Sequence, residues 1–91
     1  MSLTVQHDAA ACRFHVEVEG VPCVLDYTLD AAVMTITHTG VPAQVGGRGI
    51  ASALVKSALD VARDKGWRVV PACSYAATWI ERHPDYADLL A

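Results

Sequence analysis

Residues 41–66, VPAQVGGRGIASALVKSALDVARDKG, set three glycines within four positions directly in front of the most regular helical pattern in the chain. Ile50, Leu54, Ala58 and Val61 recur at helical spacing, and Ala51, Val55, Leu59 and Ala62 widen the apolar stripe. Ser52, Lys56, Asp60 and Arg63 fall on the opposite, wet face. The pattern predicts a helix from Ile50 to about Lys65, stopped by Gly66. Glycine costs roughly 0.5–1 kcal/mol against alanine where regular structure is wanted. Gly46, Gly47 and Gly49 therefore mark either a plain turn or a place where something approaches the backbone closely.

Upstream of this helix the chain reads as strands. In RFHVEVEG, Phe14, Val16 and Val18 alternate with Arg13, His15, Glu17 and Glu19, the period of a half-buried strand closed by Gly20. In VPCVLDYTL, Cys23, Leu25, Tyr27 and Leu29 share one face, and Val24, Asp26 and Thr28 share the other. A turn over Asp30–Ala32 leads into a strand from Val33 to about Thr39, and LTVQHD predicts a short first strand. Connections this short suit an antiparallel meander. Downstream, WRVVPAC reads as a buried strand that returns across a helix, so it can run parallel to the strand before the glycines. Ser74 can cap a last helix, YAATWIER, which must end near His83 because Pro84 follows. Four strands, helix, strand, helix define an α+β domain over residues 1–91: a mixed, mostly antiparallel sheet with one parallel pair and two main helices.

Bulk properties narrow the function. The 91 residues suit one domain. A net charge of −3 argues against non-specific nucleic-acid binding, which carries a basic patch. Hydrophobic residues make up 53% of the chain, yet no apolar run approaches the roughly 18–20 residues of a membrane span. MSLTVQHDAA has no basic region followed by an apolar stretch, so it does not read as a secretory signal. Three cysteines, Cys12, Cys23 and Cys73, with no CxxC, point to free thiols in a reducing cytoplasm. A zinc site from His7, Cys12, His15 and Cys23 is disfavoured, since Cys12 and His15 would face opposite ways on a strand. His7 and His15 read as surface strand positions, and Trp67 and Trp79 as core.

A helix N-terminus carries unpaired N–H groups and the positive end of the macrodipole. A glycine-rich turn entering it lets an anion, typically phosphate, sit against backbone donors. Two phosphate motifs fail here. A Walker loop needs GxxxxGK[ST], and no Lys-Ser or Lys-Thr step occurs at that spacing. GRGIAS approaches GxGxxG, but its sixth position is Ser52, GVPAQ separates strand from glycines, and the next strand ends in Pro71, Ala72 and Cys73 rather than an acid.

A third pattern fits. Gln44-Val45-Gly46-Gly47-Arg48-Gly49 matches Q-x-x-G-x-G and resembles the pyrophosphate-binding signature of the GNAT-type N-acetyltransferase superfamily. HTGVP, GRGIASALV, VVPACSY and RHPDYADLL look like segments of its minimal members of about 90 residues, so the resemblance covers nearly the whole chain. It implies a GNAT-like fold whose parallel strand pair splays apart, and acetyl-CoA (CoA) as cosubstrate. It implies cofactor contacts from Thr39, Val41, Gln44, Val45, Gly46, Gly47, Arg48, Gly49, Ile50 and Ala51, with Val41 where backbone meets pantetheine. Pro71 either suits the splay, because proline cannot donate to a ladder, or is an ordinary edge-strand proline. Arg48 is either a phosphate contact or a solvated loop residue. The chain lacks the N-terminal helices that help larger members build an acceptor pocket, so the acceptor is read only as an amine on a small molecule or a protein. The implied assembly is a monomer or weak dimer.

Acetyl transfer to an amine needs a neutral amine, a polarised carbonyl and a proton for the leaving thiolate. Cys73 and Tyr75 follow the second strand of the cleft. Tyr75 can protonate the thiolate, or be a core aromatic; Cys73 can accept the acetyl group if something lowers its pKa, or be a small buried hydrophobe. His38, ending the strand before the signature, can act as base or line the cleft. His83 reads as a helix-end residue favoured by the dipole. The expected activity is an acetyl-CoA-dependent acyltransferase; the alternative on the same fold is a non-catalytic acyl-CoA-binding or protein-interaction module.

Overall fold

The computed structural model describes residues 3–91. Five strands, β1 (Gln6–Asp8), β2 (Arg13–Val18), β3 (Val21–Asp30), β4 (Val33–Gly40) and β5 (Arg68–Pro71), lie in sequence order across one sheet. The first three junctions are antiparallel, and β4–β5 is parallel. Helix α1 (Ile50–Lys65) is the crossover between the parallel strands, and α2 (Ser74–Glu81) follows β5. Two 3₁₀ segments complete the chain, Ala43–Val45 before α1 and Pro84–Leu89 after α2. This is the expected α+β architecture with its single parallel pair.

One face of the sheet supplies the core. Phe14, Val16, Val18, Cys23, Leu25, Tyr27, Met34, Ile36 and Val69 are buried on it, and Leu54, Val55, Ala58, Leu59 and Ala62 of α1 cover them. The other face, with His15, Glu17 and Thr28 exposed, has no helix on it. The helix bounds follow from local chemistry. Gly66 takes φ +73°, its N–H reaches Ala62 and Arg63, and the Trp67 N–H reaches Ala62 O at 2.8 Å. Those bonds close a Schellman motif on the last carbonyls of α1.

Several side chains depart from the sequence expectation. Ser52 is not on a wet face: its Oγ accepts the Trp79 indole N–H at 2.8 Å, which ties α1 to α2. His7 is more than a surface position. Its ring stacks on Phe14 with centroids 4.1 Å apart and its Nε2 meets the Tyr27 hydroxyl at 2.7 Å. Burial, with the Lys65 charge adding to it, pushes its pKa below the usual histidine value. Leu29 shares its strand parity with Leu25 but sits at the hairpin end, 41% exposed. Cys73, not Ser74, is the N-cap of α2, which ends at Glu81 with Arg82 as C-cap. His83 then meets the Trp79 carbonyl at 2.7 Å, the helix-end role expected of it. Arg63 grips Asp88 through two 2.9 Å contacts and so docks the C-terminal segment onto α1.

The β3–β4 hairpin turns on Ala31 and Ala32 alone, with φ +50° and +64° and Asp30 paired to Val33. That is a type I′ turn, which favours Asn-Gly, whereas a left-handed residue bearing a Cβ costs roughly 1–2 kcal/mol. Replacing the pair by Asn-Gly should raise unfolding stability by about 1 kcal/mol or more, read as a higher urea midpoint at unchanged slope. A lower midpoint would contradict the turn assignment.

Candidate functional site

The site begins where the parallel pair ends. Register runs Val33↔Arg68, Met34↔Val69, Thr35↔Val70 and Ile36↔Pro71, and the Cys73 N–H then closes on Ile36 O at 2.9 Å. Beyond this point Thr37–Gly40 has no partner in β5, while it stays attached to β3 through Asp26↔His38, Leu25↔Thr39 and Val24↔Gly40. Pro71, without an N–H, stands at the last paired position, as expected of a proline beside lost pairing. The parted strands leave this edge of β4 without a strand partner, its Thr39 amide turned to the Cys73 sulfur.

A bulge sits at the same place. Tyr27 pairs with Ile36 and Asp26 with His38, so Thr37 is an extra residue in β4, its hydroxyl 3.3 Å from Asp26 O. A bulge re-aims the side chains beyond it. Thr39 opposes the buried Leu25 and therefore points to the helix-covered face. His38 opposes Asp26 on the bare face, where a Cβ on Gly40 would lie 2.9 Å from its Nε2. Of the three proposed chemical residues, Cys73 and Tyr75 thus share the α2 end of the cleft, and His38 is held on the opposite face of the sheet.

Cys73 is half-buried, with its Sγ 3.7 Å from the Thr39 hydroxyl across the splay. Burial raises the thiol pKa and is the largest single influence. The Ala76 amide, the Thr39 hydroxyl and the amides of Tyr75 and Thr39 together outweigh it and hold the thiol below the usual cysteine value. The α2 amides point toward the sulfur without completing a capping hydrogen bond. Tyr75 lies in the first turn of α2, 40% exposed and so not a core aromatic.

The signature loop narrows the donor set. The amides of Val45 and Gly46 are already spent on Pro42 O at 3.1 Å and Ala43 O at 3.2 Å, closing the 3₁₀ turn. The Val45 and Ile50 side chains are 1% and 2% exposed, so they anchor the loop in the core. From Gly47 to Ser52, no amide makes a backbone hydrogen bond with any described residue, and the first bond of α1 is Ala53 N–H to Gly49 O at 3.0 Å. Gly47 and Gly49 take φ +78° and +74°, the left-handed values that glycine adopts freely, whereas Gly46, at φ −65°, does not need to be glycine. Gln44 is exposed, Val41 and Ala51 are half-buried, and Arg48 Nη1 meets Glu19 Oε2 at 3.0 Å. That partner lies 29 positions upstream, a pairing that no local sequence pattern announces. Among the described residues no three of His, Cys, Asp and Glu are grouped closely enough to hold a metal ion.

A splayed parallel pair facing a glycine turn and a helix N-terminus is the arrangement of an acyltransferase fold. The family model for GCN5-related N-acetyl-transferases matches residues 13–89, and the chain belongs to that family. Protein NATD1 of Bos taurus is 32% identical over 85 residues, spanning 90% of this chain and 75% of that one. Protein NATD1 of Homo sapiens is 31% identical with the same coverage. In structure, the chain is similar to a GCN5-like protein of Staphylococcus aureus solved by NMR. The TM-score is 0.77 at 24% identity, with 98% of this chain and 88% of that one covered, a likeness of fold.

Proposed function

We propose that the protein is an acetyl-CoA-dependent N-acyltransferase. The observation that carries this reading is a coincidence of place. A β4 edge without a strand partner over Thr37–Gly40 leads directly to a run of unpaired amides over Gly47–Ser52, so one surface offers both strand-like and anion-binding donors. That donor set fits CoA: an amide-bearing pantetheine arm can pair with a strand edge, and a pyrophosphate suits a helix N-terminus. Bound acetyl-CoA supplies a thioester-activated acetyl group. The protein's own part is then positional. Val41 and the β4 edge hold the arm, and Gly47–Ala51 hold the phosphates. On the bare face of the sheet, His38 can take a proton from an approaching ammonium group. On the covered face, Tyr75 can return one to the departing thiolate, with Cys73 and Thr39 beside it.

The acceptor is an amine carried by a small molecule or a protein. Intact-mass analysis after incubation with acetyl-CoA and a panel of amines, from polyamines to lysine peptides, tests the reading. One added acetyl group on an amine, dependent on the protein, is expected. CoA binding with no acetylated product across the panel would favour the non-catalytic acyl-CoA-binding module instead.

A further inference from the structure

Arg48 belongs to the signature loop, yet its guanidinium is turned to the β2–β3 hairpin, where Nη1 lies 3.0 Å from Glu19 Oε2. The hairpin is a two-residue turn. Glu19 and Gly20 take φ +52° and +76°, with Val18 paired to Val21 on either side. A turn this tight fixes where the Glu19 backbone stands. Only one contact joins the pair, and both side chains keep substantial exposure, 38% for Arg48 and 61% for Glu19, so the bridge can open without local unfolding. A guanidinium beside unpaired helix-terminal amides is a natural phosphate ligand, because its planar fork matches phosphate geometry. Here one nitrogen of that fork, Nη1, is already held by a carboxylate.

Resting on the acetyl-CoA reading, we propose that Glu19 competes with the ligand's phosphates for Arg48 and so sets the affinity of the phosphate site. In the free protein it holds the guanidinium on the hairpin. A polyphosphate displaces it, because several phosphate oxygens outbid one carboxylate for the fork. A ligand with a single weak negative charge does not. Opening the bridge costs every ligand that takes Arg48 the same free energy, so Glu19 lowers the affinity of all such ligands by one factor.

Calorimetric titration of CoA at low salt into wild type, Glu19→Gln, Arg48→Gln and the double variant tests this. Glu19→Gln should tighten CoA binding about threefold, the size expected when an exposed ion pair worth a few tenths to 1 kcal/mol is removed from the free state. Arg48→Gln should weaken binding, and adding Glu19→Gln to it should recover almost nothing, since the prize of the competition is gone. The unliganded melting temperature of Glu19→Gln should fall by no more than a few degrees, as the loss of one exposed ion pair requires. Glu19→Asn, which suits the left-handed turn position, serves as a second variant and should also tighten binding. Unchanged or weaker binding in Glu19→Gln and Glu19→Asn would overturn the proposal. So would a full gain in the Arg48→Gln background, which would make Glu19 a distant repulsive charge and not a competitor. Absence of CoA binding by the wild type would remove the acetyl-CoA reading itself, and this proposal with it.

Discussion

CoA at about 100 times its dissociation constant should stabilise the folded protein by about 2.7 kcal/mol, by mass action on the native state alone. For a domain of this size that is a rise of several degrees in melting temperature. The donors expected to deliver it are the amides of Gly47–Ser52, which no backbone carbonyl among the described residues satisfies. Gly47→Val and Gly49→Val should each abolish the shift. A Cβ at either position meets nothing within 4 Å, so the branched side chain projects into the open space that a phosphate would occupy, and φ of +78° or +74° adds strain. Gly46→Ala is the matched control. Its φ is ordinary, its amide is spent on Ala43 O, and its Cβ would make only a normal 3.5 Å contact, so the shift should survive. ATP and NAD, which have no pantetheine arm for the β4 edge, should shift the melt far less. A well-folded wild type that does not respond to millimolar CoA would end the cofactor reading, and equal sensitivity of all three glycines would end the donor assignment.

Much of this site was legible in the chain because its parts are local. Both ends of α1 are written in the apolar stripe from Ile50 to Ala62 and in Gly66. The half-buried strands announce themselves by alternation, as in Phe14, Val16 and Val18 against exposed neighbours. Pro71 marks the end of parallel pairing because a residue without an N–H cannot extend a ladder. What alternation cannot carry is a break in itself. Counted straight from Met34 and Ile36, His38 would point to the core; the extra residue Thr37 resets the count and sends it to the bare face, leaving Thr39 to meet Cys73. A bulge depends on strand register, which is a property of two segments and not of one. The same holds for Arg48 with Glu19, for His7 with Tyr27, and for Ser52 with Trp79, each a contact between residues at least 20 apart. The engagement of the Val45 and Gly46 amides within the 3₁₀ turn was not legible for a related reason. Q-x-x-G-x-G names residue types, whereas the 3₁₀ turn that consumes those two N–H groups is a matter of backbone path.

Replacing Tyr75 by Phe should slow acetyl transfer by as much as about 10²–10⁴-fold, the range for a lost general acid, while Cys73→Ser should leave the rate close to wild type. This is the signature of direct attack by the amine. The competing route passes the acetyl group to Cys73 first: the thiolate attacks the thioester, CoA leaves, and the amine then attacks acetyl-Cys73. The protein gives that route one real support, since backbone amides and the Thr39 hydroxyl hold the thiol below its usual pKa despite burial. It withholds the other requirement. A cysteine nucleophile of this kind is set up by a base that removes its proton, and His38, the histidine of the β4 segment, lies on the far side of the sheet from Thr39 and Cys73. The division of faces suits direct transfer, with an amine deprotonated on the bare side and a thiolate protonated on the covered side. Rapid-quench mass spectrometry without an amine acceptor separates the routes. Wild type should show no acetyl group on Cys73 on the timescale of turnover. A kinetically competent acetyl-Cys73, together with a dead Cys73→Ser variant, would establish the two-step route in its place. Wild-type rates in both Tyr75→Phe and Cys73→Ser would take the chemistry away from the α2 terminus and leave it with His38.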